Sequence, residues 1–168
     1  MQGAETVTQL SKEVELSKLL KHPNIVPVFA SEIKNVGRDS VEINVVMEFC
    51  PGGHLLAKVN GLAESKRLLP WTKTLEVFLS IARPVAYMHA RTPPICHRDL
   101  KFENVLVAAD GSLRLCDFGS ADSHQGGIAD AADRADQEDK ITRFTTPHFR
   151  SPEMVDLYSG LTLDERSD

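Results

Sequence analysis

The side chains best suited to chemistry are concentrated in one stretch of the sequence. Asp99, Lys101 and Asn104 lie so close together that one loop can direct all three at a single point, and Asp117 follows soon after. Carboxylate and amide oxygens are hard ligands of the kind that Mg²⁺ prefers. A carboxylate can also accept a proton, and an ammonium group stabilises nearby negative charge. The set predicts a site that holds a metal-bound anion and moves a proton.

Three motifs occur in a fixed order around these residues. They are His97–Asn104, Asp117–Gly119 and Ser151–Glu153, and a predicted hairpin separates the first two. Together they resemble the catalytic loop, the metal-binding triplet and the end of the activation segment of eukaryotic serine/threonine protein kinases. The resemblance implies transfer of the γ-phosphate of ATP to serine or threonine hydroxyls of protein substrates, with ATP and Mg²⁺ as cofactors.

The same resemblance implies a role for each side chain of the set. Asp99 would accept or orient the proton of the substrate hydroxyl, and Lys101 would stabilise the charge on the transferred phosphate. Asn104 and Asp117 would hold the metal. Lys101, two residues after Asp99, is typical of the serine/threonine class rather than the tyrosine class. Thr146 would bond to Asp99 and Lys101; the alternative for it is a turn hydroxyl.

A nucleotide pocket is implied by resemblance at the end of the second predicted strand. Met47 would be the gatekeeper, and backbone groups of Glu48 and Cys50 would bond to adenine; the alternative is a plain buried strand and turn. Leu106 resembles the residue that packs beneath the adenine. The alternative, an ordinary core leucine, is compatible with that role. Cys116 would line the pocket, although a small buried hydrophobe is the favoured interpretation.

Regulatory positions also follow from the resemblance. Arg98 resembles the arginine that docks an ordered activation loop, and Phe118 would pack with His97 in the interior column that aligns the two lobes. Glu13 matches the helix glutamate that pairs with a phosphate-gripping lysine. Its alternatives are Glu15 or a solvated helix face. Glu153 would pair with an arginine further along a kinase chain.

Four segments resemble the numb-associated kinase family, which includes the adaptor-associated and cyclin-G-associated kinases. The resemblance implies an endocytic role, clathrin adaptor subunits as substrates, and a long activation segment with an added helix near its end. Acidic residues of that segment could guide basic substrates, but a solvated loop is the favoured interpretation. The segments are Tyr87–His89, Pro93–Asp99, Asp117–Ala121 and Phe144–Tyr158, and the acidic residues are Asp130, Asp133, Asp136, Glu138 and Asp139.

Hydrophobic periodicity and turn residues predict the elements that would position these groups. A helix, two strands, two further helical stretches and a hairpin make an α+β arrangement, and the resemblance makes it a partial, bilobal kinase fold. A mobile loop is expected over Ser120–Asp139, and a helix over Ile128–Ile141 is the alternative for part of it. The predicted helices are Glu5–Leu20, His54–Asn60, Thr74–Ala90 and Met154–Tyr158; the strands are Ile25–Ala30, Val41–Phe49, Val105–Val107 and Leu113–Leu115.

The expected domain is a partial protein kinase domain over residues 1–168. Residues 1–49 would be the remnant of the small lobe, residues 50–168 the hinge and first part of the large lobe, and residues 117–153 the activation segment. A Gly-rich loop and a Val-Ala-Ile-Lys-like strand are not found before the first helix. We therefore expect a chain truncated at both ends, poorly stable and inactive alone. The alternatives are a non-catalytic kinase-like binding module and a shortened isoform.

Composition narrows the class of partner and compartment. The 168 residues carry a formal net charge of −5, which argues against nucleic acid as the main partner. The widely spaced cysteines Cys50, Cys96 and Cys116 predict free thiols in a reducing compartment. Neither a signal peptide nor an apolar stretch long enough for a bilayer is evident. The expectation is a cytoplasmic protein that reaches endocytic membranes through its partners.

Overall fold

The computed structural model describes residues 2–37, 41–123 and 126–168. Helices alternate there with short antiparallel strand pairs, and single turns of 3₁₀ helix lie at Phe102–Asn104, Pro147–Phe149 and Glu165–Ser167. The helices are α1 (Gln2–Leu19), α2 (Leu55–Glu64), α3 (Trp71–His89), α4 (Ala131–Phe144) and α5 (Pro152–Val155), and the strands are β1 (Val28–Asn35), β2 (Val41–Met47), β3 (Val105–Val107) and β4 (Leu113–Leu115).

Strands β1 and β2 pair in antiparallel register, with Val28 opposite Met47 and Ile33 opposite Ile43. The prediction of a strand over Ile25–Ala30 is wrong at its start. Ile25 forms a parallel bridge with Leu115, and the backbone N–H of Val26 donates to the carbonyl of Leu115 at 2.9 Å. Residues 25–26 thus join β4 rather than β1. The second strand ends at Met47, not at Phe49, and residues 38–40 of the connection between the two strands lie outside the described residues.

The hairpin β3–β4 has the predicted bounds, with Val105 opposite Leu115 and Val107 opposite Leu113. At its tip the Asp110 carboxylate accepts a hydrogen bond from the Ser112 backbone N–H at 2.9 Å. Gly111 has φ +81°, a conformation that glycine adopts without steric cost. The main core surrounds the hairpin and consists of Leu20, Ile25, Leu55, Met88, Ile95, Val105, Leu113, Leu115 and Phe118.

Helix α3 packs one face on that core. It begins at Trp71, three residues before the predicted start, and follows Pro70 at its N-cap. It continues through Pro84, which is buried together with Met88. The face that carries Trp71 and Phe78 is exposed. Helix α2, predicted over His54–Asn60, extends to Glu64.

Helix α4 runs over Ala131–Phe144 and so agrees with the predicted alternative of a helix over Ile128–Ile141, whereas the described residues between Ser120 and Asp130 are not helical, as expected for a loop. The Asp130 carboxylate caps its start and accepts hydrogen bonds from the N–H groups of Ala132 and Asp133, both at 2.9 Å. The ion pairs Asp136–Lys140 (2.6 Å) and Asp139–Arg143 (2.9 Å) support the exposed face. Capping and charge pairs stabilise a helix whose low hydrophobicity suggested a loop.

The end of the chain is less helical than predicted. Helix α5 stops at Val155 because the Asp156 carboxylate accepts from the Tyr158 N–H at 2.9 Å and forms a turn. A second cluster of Ile141, Met154 and Leu163 joins α4 to this region. All three cysteines are free, as expected. Within the described ranges, no helix combines the length and apolarity that crossing a bilayer requires.

Candidate active site

The buried carboxylate of Asp168 holds the backbone of the loop that carries Asp99. This carboxylate accepts hydrogen bonds from the backbone N–H groups of His97 and Arg98, each at 2.7 Å, and contacts His89 Nε2 at 2.9 Å. Burial alone would raise the pKa of Asp168. The hydrogen bonds from His89, His97 and Arg98 outweigh burial and lower that pKa. Spacing along the chain does not reveal so distant a contact, since 70 residues separate Asp168 from Arg98.

Replacing Asp168 with alanine should lower the free energy of unfolding by about 2–6 kcal/mol, because two buried N–H groups lose their acceptor at about 1–3 kcal/mol each. The pKa of Asp168 is lower when folded than its ordinary value of about 3.9. Its stabilisation is therefore fully present above about pH 5 and is lost as the pH falls toward the folded-state pKa.

Urea unfolding of the full-length protein at pH 7 and at pH 3.5 would measure this effect. The difference between wild type and Asp168→Ala should shrink at the lower pH. Asp139→Ala removes an exposed ion pair with Arg143 and serves as the control, with a change of about 0.5 kcal/mol or less. A loss for Asp168→Ala no larger than that of the control would contradict the assignment.

Asp99 lies at the centre of a polar cluster. One carboxylate oxygen accepts from the backbone N–H of Thr146 at 2.9 Å, and the other lies 2.6 Å from Lys101 Nζ. Lys101 Nζ also donates to the Thr146 hydroxyl at 2.7 Å. Burial would raise the pKa of Asp99, but hydrogen bonds from Lys101 and Thr146 prevail and lower it. Asp99 is therefore an ionised acceptor at neutral pH.

Asn104 is fastened to the same cluster and is only 5% exposed. Its amide nitrogen donates to the backbone carbonyl of Asp99 at 2.9 Å and to the Asp99 carboxylate at 3.0 Å. The amide oxygen is consequently the atom that Asn104 can offer to a metal ion. The backbone N–H of Cys116 donates to the Asn104 carbonyl at 2.9 Å, so the end of hairpin β3–β4 brings Asn104 close to Asp117.

Asp117 is exposed and has φ +64°, the left-handed region that non-glycine residues rarely occupy. Strained backbone of this kind is frequent at functional sites. Asp117 lines an open cavity of about 660 Å³ together with Asp99, Lys101 and Thr146. Four of the residues predicted for catalysis and metal binding thus line one cavity, and Asn104 is hydrogen-bonded to one of them, Asp99.

The donor set suits Mg²⁺ bound to phosphates. Among the described residues, no cluster of three or more His, Cys, Asp or Glu side chains could enclose a metal ion. Mg²⁺ in phosphoryl-transfer sites takes one or two protein carboxylates and completes its shell with water and substrate phosphates. The Asp117 carboxylate and the Asn104 amide oxygen fit that pattern.

Helix α1 directs Glu13, rather than Glu15, toward this cavity. Glu13 lines it, whereas Glu15 is exposed beside a separate groove. A Cβ atom added to Gly119 would lie 3.2 Å from Glu13 Oε2, so the carboxylate packs directly on the triplet that begins at Asp117. Burial, and secondarily the charge of Asp117, raises the pKa of Glu13.

The predicted hinge follows β2 and packs on β3. Met47, the last residue of β2, is 53% exposed. The Glu48 backbone N–H donates to Pro27 at 3.0 Å, and its carboxylate pairs with Arg114 at 2.9 Å. Gly52 lies against Val107, where an added Cβ would come within 2.5 Å of the Val107 Cβ. Glycine is therefore needed at this crossing.

The remaining pocket residues lie near the hinge. Leu106 is half-buried in β3 and forms a bridge with His54. Burial, with smaller contributions from Asp117 and Cys50, raises the pKa of the Cys116 thiol to about 12. Cys116 is therefore a neutral thiol at neutral pH, and the residue is half-buried. The pKa of Cys50 is raised mainly by burial.

Of the predicted regulatory residues, Arg98 and Phe118 are buried, whereas Glu13 and Glu153 are half-buried. The Phe118 ring lies 5.4 Å from the His97 ring. The Glu153 carboxylate accepts a hydrogen bond from the Ser167 hydroxyl at 2.7 Å. Arg98 has φ +63° and pairs with Asp122 at 3.0 Å. Asp122 and its neighbour in this contact, Gln137, carry no sequence signal and were not foreseen.

These arrangements are those of a protein kinase domain, and comparison with known proteins agrees. Residues 2–168 match the family described as protein kinase domain, and the chain belongs to that family. The α+β fold class predicted from the sequence is confirmed.

Individual relatives cover nearly the whole chain. It is 36% identical over 98% of its length to the protein kinase domain-containing protein ppk38 of Schizosaccharomyces pombe. It is 38% identical over its full length to a probable serine/threonine-protein kinase of Dictyostelium discoideum. It is 37% identical over 99% to the actin-regulating kinase PRK1 of Saccharomyces cerevisiae. The chain spans 25%, 21% and 20% of the lengths of these relatives, respectively.

Proposed function

We propose that the protein containing this chain is a serine/threonine protein kinase, which transfers the γ-phosphate of ATP to hydroxyl groups of protein substrates. One observation carries the proposal. An ionised Asp99, bonded to Lys101, Thr146 and Asn104, lies at a cavity whose wall also includes Asp117. Phosphoryl transfer depends on positioning and on charge stabilisation rather than on covalent chemistry by the protein. This cluster supplies both.

Each side chain has a defined part in the proposed reaction. Asp117 and Asn104 would hold Mg²⁺, which supplies neutralisation of phosphate charge when bound. Asp99 accepts the hydrogen bond of the substrate hydroxyl and receives its proton as the new O–P bond forms and the bond to ADP breaks. Lys101 is 2.6 Å from Asp99 and stabilises negative charge on the transferred group.

The contact between Lys101 and Thr146 supports the choice of serine and threonine over tyrosine. Lys101 reaches across the catalytic loop to the Thr146 hydroxyl, and the Thr146 N–H anchors Asp99. The segment that would support an incoming peptide is thereby tied to the base at two points. Glu13 is the proposed helix glutamate because its carboxylate faces Gly119, and Glu48 and Cys50 are the proposed adenine-binding residues of the hinge.

We further propose that the chain belongs to the numb-associated branch of the protein kinase family. Motif resemblance to numb-associated kinases, together with a helix in the activation segment, supports membership of that branch. Relatives of this chain include proteins named as actin-regulating kinases. We accordingly infer cytoplasmic protein substrates of the endocytic machinery, with clathrin adaptor subunits as the first candidates.

The direct test is an assay of the full-length protein with Mg-ATP and three peptide libraries, in which serine, threonine or tyrosine is the sole acceptor. Phosphate should appear on the serine and threonine libraries, not on the tyrosine library, and removal of Mg²⁺ by EDTA should stop the transfer. Absence of transfer to every library, despite a folded protein, would contradict the proposal and favour a non-catalytic binding module.

Replacing Thr146 with valine should lower kcat/KM for a peptide substrate by about 10- to 100-fold. Valine keeps the shape but loses the hydroxyl that accepts from Lys101, and a hydrogen bond to a charged group contributes about 1.5–3 kcal/mol. Thr146→Ser retains the hydroxyl and is the control, expected within about threefold of wild type, less than one such hydrogen bond. Equal rates for the valine and serine variants would make the Thr146 hydroxyl an ordinary turn group.

A further inference from the structure

The Arg98 side chain is buried to a degree unusual for a guanidinium. It is 2% exposed, and its backbone is in the left-handed region at φ +63°. Arg98 directly precedes Asp99, so any displacement of its backbone moves the proposed base. A buried charge must be paired or hydrogen-bonded, and the identity of its partners therefore bears on how the catalytic loop is held.

Asp122 provides the first partner. Its carboxylate lies 3.0 Å from Arg98 Nη1. Its backbone forms two reciprocal hydrogen bonds with Cys96, at 2.8 and 3.0 Å. Asp122 is thus fixed beside the catalytic loop through both backbone and side chain. It lies five positions after Asp117, at the start of the proposed activation segment.

Gln137 provides the second partner, from the far part of the same segment. It is 2% exposed, whereas its neighbours Asp136 and Glu138 on α4 are exposed. Its side-chain oxygen lies 3.5 Å from Arg98 Nη1, the nitrogen that also contacts Asp122. Ile141, one turn later, enters the apolar cluster with Met154. These two contacts attach the middle of α4 to the fold, and Arg150, which donates to the Ile141 carbonyl at 3.2 Å, adds a further contact.

The activation segment could be ordered around Arg98 by either of two anions, a phosphoryl group or the carboxylate of Asp122. Arg98 also lines a cavity of about 90 Å³ with Lys12 and Lys140, and its Nε and Nη2 atoms have no hydrogen-bond partner within the described part of the chain. A phosphoryl group could bind such nitrogens. However, the Asp122 carboxylate already supplies a negative charge at the guanidinium, and α4 is formed and docked around it.

We propose that Asp122 and Gln137 are positioning residues, which hold Arg98 and through it the catalytic loop in the working arrangement without phosphorylation of the activation segment. The proposal rests on the proposed kinase function. Neither residue touches a reactant. Their effect reaches Asp99 through the adjoining backbone, so it should change the rate of transfer more than the binding of ATP.

The test uses the full-length protein after phosphatase treatment, with loss of phosphate verified by mass spectrometry. Wild type should keep its activity within about twofold. Asp122→Ala and Gln137→Met should lower kcat about tenfold, the effect of losing one hydrogen bond to a charged group, with KM for ATP nearly unchanged. Gln137→Glu keeps an oxygen that faces Arg98 and should restore wild-type kcat. Glu138→Gln, on the exposed face of α4, is the matched control.

Hydrogen exchange of α4 in the phosphate-free proteins gives a second readout that needs no catalysis. Exchange should be slow in wild type, Gln137→Glu and Glu138→Gln, and faster in Asp122→Ala and Gln137→Met. Loss of wild-type activity on phosphatase treatment, or unchanged exchange in the two weakened variants, would overturn the proposal. An untreated wild type that transfers no phosphate would instead contradict the kinase function. The exchange data would still decide whether Asp122 and Gln137 hold α4 against Arg98.

Discussion

Full-length protein carrying Asp117→Ala is expected to lose Mg²⁺-dependent phosphoryl transfer. Asp117 supplies the carboxylate of the proposed metal pair, and it faces the open cavity beside Asp99 and Lys101. Loss of an outer-shell partner already costs about 10–100-fold in metal affinity or activity. Loss of a direct ligand should exceed that range. The affinity for Mg-ATP should fall to that for ATP without metal.

Two measurements separate this result from simple unfolding. Isothermal titration with ATP, with and without Mg²⁺, reports the metal contribution, and thermal unfolding reports stability. Asp110→Ala removes an aspartate from the opposite end of the same hairpin, where it bonds Ser112. This control should retain Mg-ATP binding. Equal activity of Asp117→Ala and wild type would exclude Asp117 as a metal ligand.

Asp99→Asn should lower kcat by about 10²–10⁴-fold, the usual contribution of a positioned acid–base group. The amide preserves the shape of the carboxylate and can still accept from the Thr146 N–H. It cannot take the proton of the substrate hydroxyl, and it loses the 2.6 Å ion pair with Lys101. Because Asp99 acts on the hydroxyl rather than on the nucleotide, KM for ATP should change little.

The pH dependence provides an additional check on Asp99. Its pKa is lowered from the ordinary value of about 3.9. The carboxylate therefore stays ionised down to about pH 4, and kcat should show no loss from protonation of Asp99 between pH 5 and pH 8. Glu103→Gln, in the same loop, should keep wild-type kcat. A kcat for Asp99→Asn within threefold of wild type would contradict the role of base.

Local sequence patterns predict a good part of this fold. Asp110 and Gly111 define the tip of the hairpin, and the short apolar runs beside them define its strands, because turn chemistry acts over a few residues. Apolar spacing along α3 similarly predicts its helix. The clustering of Asp99, Lys101 and Asn104 follows from their closeness in sequence, so the centre of the site could be predicted without coordinates.

Contacts between distant segments could not be predicted in this way. Ile25 and Val26 were predicted to begin the first strand, yet they pair with β4. Local sequence does not specify which strand a segment pairs with, because that depends on the tertiary fold. Low hydrophobicity left a loop and a helix over Ile128–Ile141 as alternatives, and the capping carboxylate and surface charge pairs of α4 favour the helix. The burial of Gln137 and the amide contacts of Asp168 depend on where the chain returns in space.

The hairpin between Asn104 and Asp117 also determines where the chain can change length. Pairing of Val105 with Leu115 sets the spacing of the two metal-ligand positions at the open end, while residues 108–112 turn at the far end. An insertion at the tip leaves the open end in register, so a peptide tag should be tolerated there. One residue inserted within β4 would instead turn Asp117 to the opposite face. Inserting a single codon would therefore separate Asn104 from Asp117 without replacing either residue.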